Sequence, residues 1–166
     1  LMSGKINPQF YATYLWNQHK KYDLLEAMAR VNGVLDDLPG IERKMAIEQD
    51  FLELWEDKEN PPPILPSTHE YIEHMRGLME DPEKLMAHVY TLHSGDLSGG
   101  QMIAKKAPGS GRMYQFPGDT DALKAAIKAK TTDAMADETK YVFESAAKLF
   151  QELMELDIEH YMEQTD

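Results

Sequence analysis

Apolar residues recur at helical spacing along most of the chain. Tyr11, Tyr14, Leu15, Gln18, Tyr22, Leu25 and Met28 fall on one stripe, which predicts a first helix. Asn7-Pro8 supplies its start, with Asn as cap and Pro at the first helical position, and Gly33 supplies its stop. Ile41, Met45, Leu52 and Trp55 mark a second helix over about 41–56. "ENPPPILP" (59–66) cannot be helical, because proline lacks the backbone N–H and clashes with the preceding turn; it reads as a stiff connector. Ser67 and Glu70 have capping-box spacing and open a third helix to about residue 80. Asp81-Pro82 opens a fourth, to about Ala107. "PGSGRMYQFPG" (108–118) is loop, Asp119 or Thr120 caps a fifth helix, and the last spans about 137–163. With no alternating strand pattern, repeat or low-complexity tract, the pattern predicts an all-α domain of long helices and short connections.

The fourth helix breaks a rule of helix composition. Its middle carries Gly95, Gly99 and Gly100, together with Ser98. Each helical glycine costs about 0.8–1 kcal/mol relative to alanine. Three cost about 2.5–3 kcal/mol, against a typical domain stability of about 5–15 kcal/mol. Gly95 and Gly99 are four apart and share a face, and Gly100 is expected to widen the bare strip. A flat object can lie against backbone that lacks Cβ atoms. Close helix–helix packing is the plainer explanation. Asp96 shifts the balance, because it puts an acid beside that smooth surface in an otherwise apolar helix.

Composition narrows the field. The 166 residues suit one domain with a sizeable core. A net charge of -12 argues against a nucleic-acid partner. The absence of Cys excludes disulfides, thiol catalysis and iron–sulfur ligation, and fits a reducing, cytoplasmic setting. No apolar run reaches the roughly 18 residues of a membrane span. The chain begins with Leu1 rather than Met, as expected of a fragment or trimmed chain, and Leu1–Met2 is too short to be a signal peptide.

"GDLSGGQ" (95–101), preceded by "AHVYT" (87–91), resembles the distal helix of the haem oxygenases. "ERKMAIEQD" (42–50), "YQFPG" (114–118), "LKAAIKAK" (123–130) and "KLFQEL" (148–153) resemble further segments of that family, and the similarity runs from near residue 1 to about 160. The resemblance implies a single-domain haem oxygenase-like helical bundle. It implies oxidative cleavage of haem, which is both substrate and cofactor, to biliverdin, carbon monoxide and Fe(II), using O2 and external electrons. The glycines matching Gly95 and Gly99, with Ser98 beside them, lay backbone over the haem face. The acid matching Asp96 holds a water chain that supplies the proton for oxygen activation. Tyr90 and Thr91 match residues near the haem edge and its hydrogen-bond network. Lys124 and Lys128 match positions that bind haem propionates as point charges, and Phe143 matches an aromatic packed on the haem edge. The sequence departs from the pattern at two places. Lys128 stands where the family often has Arg, and Leu92 where many relatives have an Arg that helps hold the acid; Tyr22, His93 or Ser94 are the candidate substitutes.

Of the six histidines, none is assigned to iron. The family's axial histidine lies about a dozen residues before the position of Met2, so the resemblance places it upstream of Leu1, and residues 1–166 are expected to form the domain without that helix. His69 and His74 in "HEYIEH" miss the zinc pattern HExxH by one residue and share a helix face poorly. His19, His88, His93 and His160 read as packed or solvated. The electron donor is expected to be a ferredoxin, with Lys20, Lys21, Lys105, Lys106 and Arg112 as the candidate docking patch in an acidic chain. Two rivals remain. A non-haem di-iron oxidase on the same scaffold would recruit Glu48, His74 and His88, but it has no use for bare helical backbone. A haem-binding relative without turnover has no need of Asp96.

Overall fold

Asn7 accepts hydrogen bonds from the backbone N–H groups of Gln9 (2.8 Å) and Phe10 (3.2 Å). One side chain thereby satisfies two of the donors orphaned at a helix start. Helix α1 follows over Pro8–Val31, and Gly33, at φ +74°, takes the left-handed turn beyond its end. The computed structural model describes residues 6–98, 100 and 104–165, with side chains as far as Asp157. Among the described residues there are six α-helices, two short 3-10 turns and no strand. The remaining helices are α2 (Lys44–Leu54), α3 (Pro66–Arg76), α4 (Pro82–Ser98), α5 (Thr120–Ala129) and α6 (Ala136–Thr165).

Several boundaries differ from the periodicity, each for a physical reason. Helix α2 has no side-chain cap of its own. Its first donors are met instead from α1, where Glu26 accepts the backbone N–H groups of Arg43 (2.6 Å) and Lys44 (3.0 Å). Ile41, expected inside the helix, is buried in the turn before it. The capping box at Ser67 does not form. Ser67 sits inside the first turn of α3, and its N–H and hydroxyl both donate to Glu152 of α6. Asp119 is the cap of α5, accepting from Asp121 (3.0 Å) and Ala122 (3.1 Å). Gly100 and Ala104 are still helical and the chain turns at Lys105, a little before the expected end; Gly99 and residues 101–103 lie outside the described residues.

Helix α1 is the central element, packed against α2, α3, α4 and α6. Its C-terminal half joins α3, α4 and α5 in the main core, built on Leu25, Leu38, Tyr71, Met75, Leu85 and Ile127. Its first four turns, as far as Tyr22, pack Tyr11, Leu15 and Tyr22 against Ile47 and Phe51 of α2 and against Met113 and Tyr114. Polar positions inside this apolar frame are therefore conspicuous, and several converge where α1 crosses α4.

Candidate functional site

Two polar pairs bridge α1 and α4. The Tyr22 hydroxyl donates to Asp96 Oδ2 at 2.6 Å. One turn along, His93 Nε2 lies 2.7 Å from Glu26 Oε2, both side chains essentially inaccessible to solvent. Tyr22 and Glu26 are four apart and His93 and Asp96 three apart, so each pair shares a helix face. Pairing 22 with 96 and 26 with 93 makes the two helices antiparallel at this point. The Tyr22 and His93 rings also touch, with centroids 5.0 Å apart. Glu26 thus joins three elements, accepting from α4 and from both leading N–H groups of α2.

Asp96 is only 8% exposed. Burial pushes its pKa up to about 7; His93, the Tyr22 hydrogen bond and the Arg43 guanidinium oppose that rise, and Glu26 adds to it. Tyr14 and Tyr114 feel the Asp96 charge too, but burial first of all holds both phenols neutral. Asp96 is therefore a carboxyl that exchanges a proton near neutral pH, inside a wall of hydroxyls that do not.

The glycines of α4 divide into two kinds. A Cβ built on Gly95 meets nothing within 4 Å, so its bare backbone faces open space. A Cβ on Gly100 would lie 2.3 Å from Cδ1 of Tyr114. Gly100 therefore does not widen the bare strip as expected; it lets the Tyr114 ring seat against the helix. Asp50 of α2 holds that ring's turn in place, accepting the N–H groups of Arg112 (3.0 Å) and Met113 (2.9 Å). Gly99 lies outside the described residues.

The other expected site residues are placed as follows. Tyr90 is half-buried against the main core. Thr91 is half-buried, and its hydroxyl donates to the Ala87 carbonyl within α4 (2.8 Å), so it is engaged by its own helix. Ser98 is exposed, Lys124 half-buried and Lys128 exposed. Phe143 stands 63% exposed on α6. The expected basic patch is not a single surface. Lys21 is 2% exposed, with its ammonium 5.2 Å from the centre of the Tyr71 ring. Arg112 is paired with Glu53 at 3.2 Å. Lys20 lies over the Trp16 ring at 3.6 Å.

The histidines read as merely packed or solvated include two with carboxylate partners. His93 is held by Glu26, and His88 joins His74 at Glu138. Glu48, which the rival di-iron reading would recruit alongside His74 and His88, lies instead 3.8 Å from His19. Glu26 and Arg43 were not singled out by the sequence. The signal for Glu26 was the matched spacing of Tyr22 with Glu26 and of His93 with Asp96, two polar pairs on stripes that otherwise look apolar; Arg43 lies within the quoted segment 42–50 but had no signal of its own.

Over residues 1–156 the chain matches the family model described as Heme oxygenase. It is similar to heme oxygenase 1 of Nostoc, with 29% identity over 90% of this chain and 70% of that protein. It is similar to human heme oxygenase 1, with 32% identity over 70% of this chain and 48% of that protein, so the match spans about half of the human relative. Its fold matches the crystal structure of heme oxygenase-1 from Synechocystis in complex with heme at a TM-score of 0.80 and 22% identity, covering 99% of this chain and 88% of the other. It also matches heme oxygenase from Leptospira interrogans at a TM-score of 0.72 and 29% identity, over 87% and 83% of the two chains. A family model matched along nearly the full length agrees with the open Gly95 backbone and the buried acid beside it, and the chain belongs to the haem oxygenase family.

Proposed function

We propose that the protein binds haem against α4 at Gly95 and cleaves it oxidatively to biliverdin, carbon monoxide and ferrous iron, with O2 and external electrons. The observation that carries this reading is the Asp96 carboxyl, buried, bonded to Tyr22 at 2.6 Å and adjacent to backbone open at Gly95. A flat macrocycle can approach backbone that carries no Cβ, as at Gly95. Bound haem supplies the oxygen-activating iron. Tyr22 occupies Oδ2, so the transferable proton of Asp96 belongs on Oδ1. With a pKa of about 7, Asp96 is close to half protonated at neutral pH and serves as proton reservoir for the cleavage. An acid set back from the haem face in this way leaves room for O2.

Lys124 and Lys128 hold the propionates as point charges, and Phe143 covers the haem edge with an aromatic face that is otherwise exposed. Tyr90, Thr91 and Ser98 complete the distal wall; Gly99, of the same motif, lies outside the described residues. The axial imidazole is assigned to none of His74, His88 and His93, each of which is committed to a carboxylate. A ferredoxin is the proposed electron donor and the cytoplasm the proposed location. Among the described residues no helix is long and apolar enough to cross a membrane.

A haem titration followed by reductant under air tests this reading. Loss of the Soret band with growth of biliverdin absorption supports it. A Soret band that survives reduction in air identifies a haem binder without turnover, and oxidase activity with iron(II) alone identifies a non-haem enzyme.

A further inference from the structure

A second polar cluster lies between α3, α4 and α6. His74 Nε2 is 2.8 and 3.0 Å from the two Glu138 oxygens, and His88 Nε2 is 3.4 Å from Glu138 Oε2. One donor atom from each of the three residues lies within 4.8 Å of the others. Both imidazoles are held from behind. The Tyr71 hydroxyl is 2.7 Å from His88 Nδ1, and the Tyr141 ring stacks on His74 with centroids 3.8 Å apart.

We propose that His74, His88 and Glu138 form a binding site for one divalent cation of borderline softness, zinc in the first place, separate from the haem face. Two imidazoles and a carboxylate are the N2O donor set of zinc sites that keep a fourth position for water. Donor atoms on a tetrahedral zinc, at about 2.0–2.2 Å from the metal, are about 3.3–3.5 Å from each other. The edges observed onto Glu138, 2.8–3.0 Å from His74 and 3.4 Å from His88, need only a small opening to reach that, and the edge between the imidazoles lies within 4.8 Å. Tyr71 supplies the outer contact that such sites use: when His88 Nδ1–H donates to the phenol oxygen, the lone pair on Nε2 faces Glu138.

Burial also pushes the His88 imidazole down to about 4, so it is neutral and able to ligate at ordinary pH. The ion enters from the His74 side, where the side chain is 31% exposed against 10% for Glu138 and none for His88. Once bound it ties α3, α4 and α6 together, two turns along α4 from Asp96. The competing arrangement is a purely hydrogen-bonded staple, in which both imidazole N–H groups donate to one carboxylate.

The test uses the chelator-treated, haem-free chain, titrated with zinc by calorimetry and with cobalt(II) by visible absorption. The expected result is one equivalent per chain, a tetrahedral cobalt spectrum and a thermal midpoint that rises with free zinc. His74→Ala and Glu138→Gln should each weaken zinc by more than about tenfold, and Tyr71→Phe by about tenfold. His69→Ala, on an exposed neighbouring residue, should leave binding unchanged. If Glu138→Gln fails to fold, His74→Ala carries the test, since its side chain is part-exposed. No stoichiometric uptake by a folded chain, or uptake that His74→Ala leaves unaltered, overturns the proposal. The measurement involves no haem, so its failure leaves the reading of Asp96 untouched.

Discussion

Asp96 is the residue on which chemistry and stability meet. Its carboxyl titrates at about 7 in the folded chain, above the ordinary 3.8, because burial disfavours the charge. Between those two values the folded state binds more protons at this site than the unfolded state does. Stability from this group is therefore fully present below about pH 4 and is lost as pH rises through 7. Asp96→Asn removes the titration, so the difference in unfolding free energy, variant minus wild type, should grow by a few kcal/mol from pH 4 to pH 8. Parallel curves for the two proteins in denaturant melts would contradict the buried-acid account. Tyr22→Phe removes the hydrogen bond that opposes the rise, so Asp96 should titrate higher still, at a cost of about 1–2 kcal/mol in stability. The carbonyl stretch of the protonated acid, followed by infrared against pH, reads this directly; an unmoved midpoint would show that Tyr22 does not tune Asp96. Asp96 itself was legible in the sequence because a charge in an apolar helix stands out. Tyr22 was only half legible: named as a substitute for the missing Arg, it also fits an apolar stripe, and only a partner 74 residues away reveals the use of its hydroxyl.

At the scale of elements, helix α4 separates two uses of glycine that look alike in sequence. Gly95→Ala meets nothing within 4 Å, so it should stabilise the haem-free chain by up to about 1 kcal/mol through helix propensity. It should at the same time weaken haem binding, because a methyl group then stands on the open face. Gly100→Ala drives a Cβ to 2.3 Å from the Tyr114 ring and should destabilise by about 1–3 kcal/mol, the usual range for overpacking. Thermal melts with and without haem check both; a Gly95→Ala chain that binds haem as tightly as wild type would remove Gly95 from the site. The helices themselves were largely legible, since Asn7, Gly33 and Asp119 act locally and do what their types predict. The start of α2 and the role of Ser67 were not, because Glu26 and Glu152 reach them from distant helices. The same limit hid the meeting of His74 and His88 on Glu138, drawn from three separate helices.

For the whole molecule, periodicity yields an all-α chain but not the order in which its helices pack. The central place of α1 and its antiparallel crossing with α4 depend on contacts between segments about 70 residues apart. That crossing buries Asp96 against Tyr22, directly beside the open backbone of Gly95. The proposed reading gives the orientation of haem to Lys124 and Lys128, so Lys124→Glu or Lys128→Glu should weaken haem binding or change which biliverdin isomer forms. If chromatography of the products and the haem affinity are both unmoved, these lysines are solvated surface residues only. The most direct test of the account is biliverdin yield from the haem-loaded Asp96→Ala variant, compared with wild type at equal haem occupancy under reductant and air. The account predicts haem affinity close to wild type and no biliverdin, whereas a normal yield of biliverdin from that variant would contradict it.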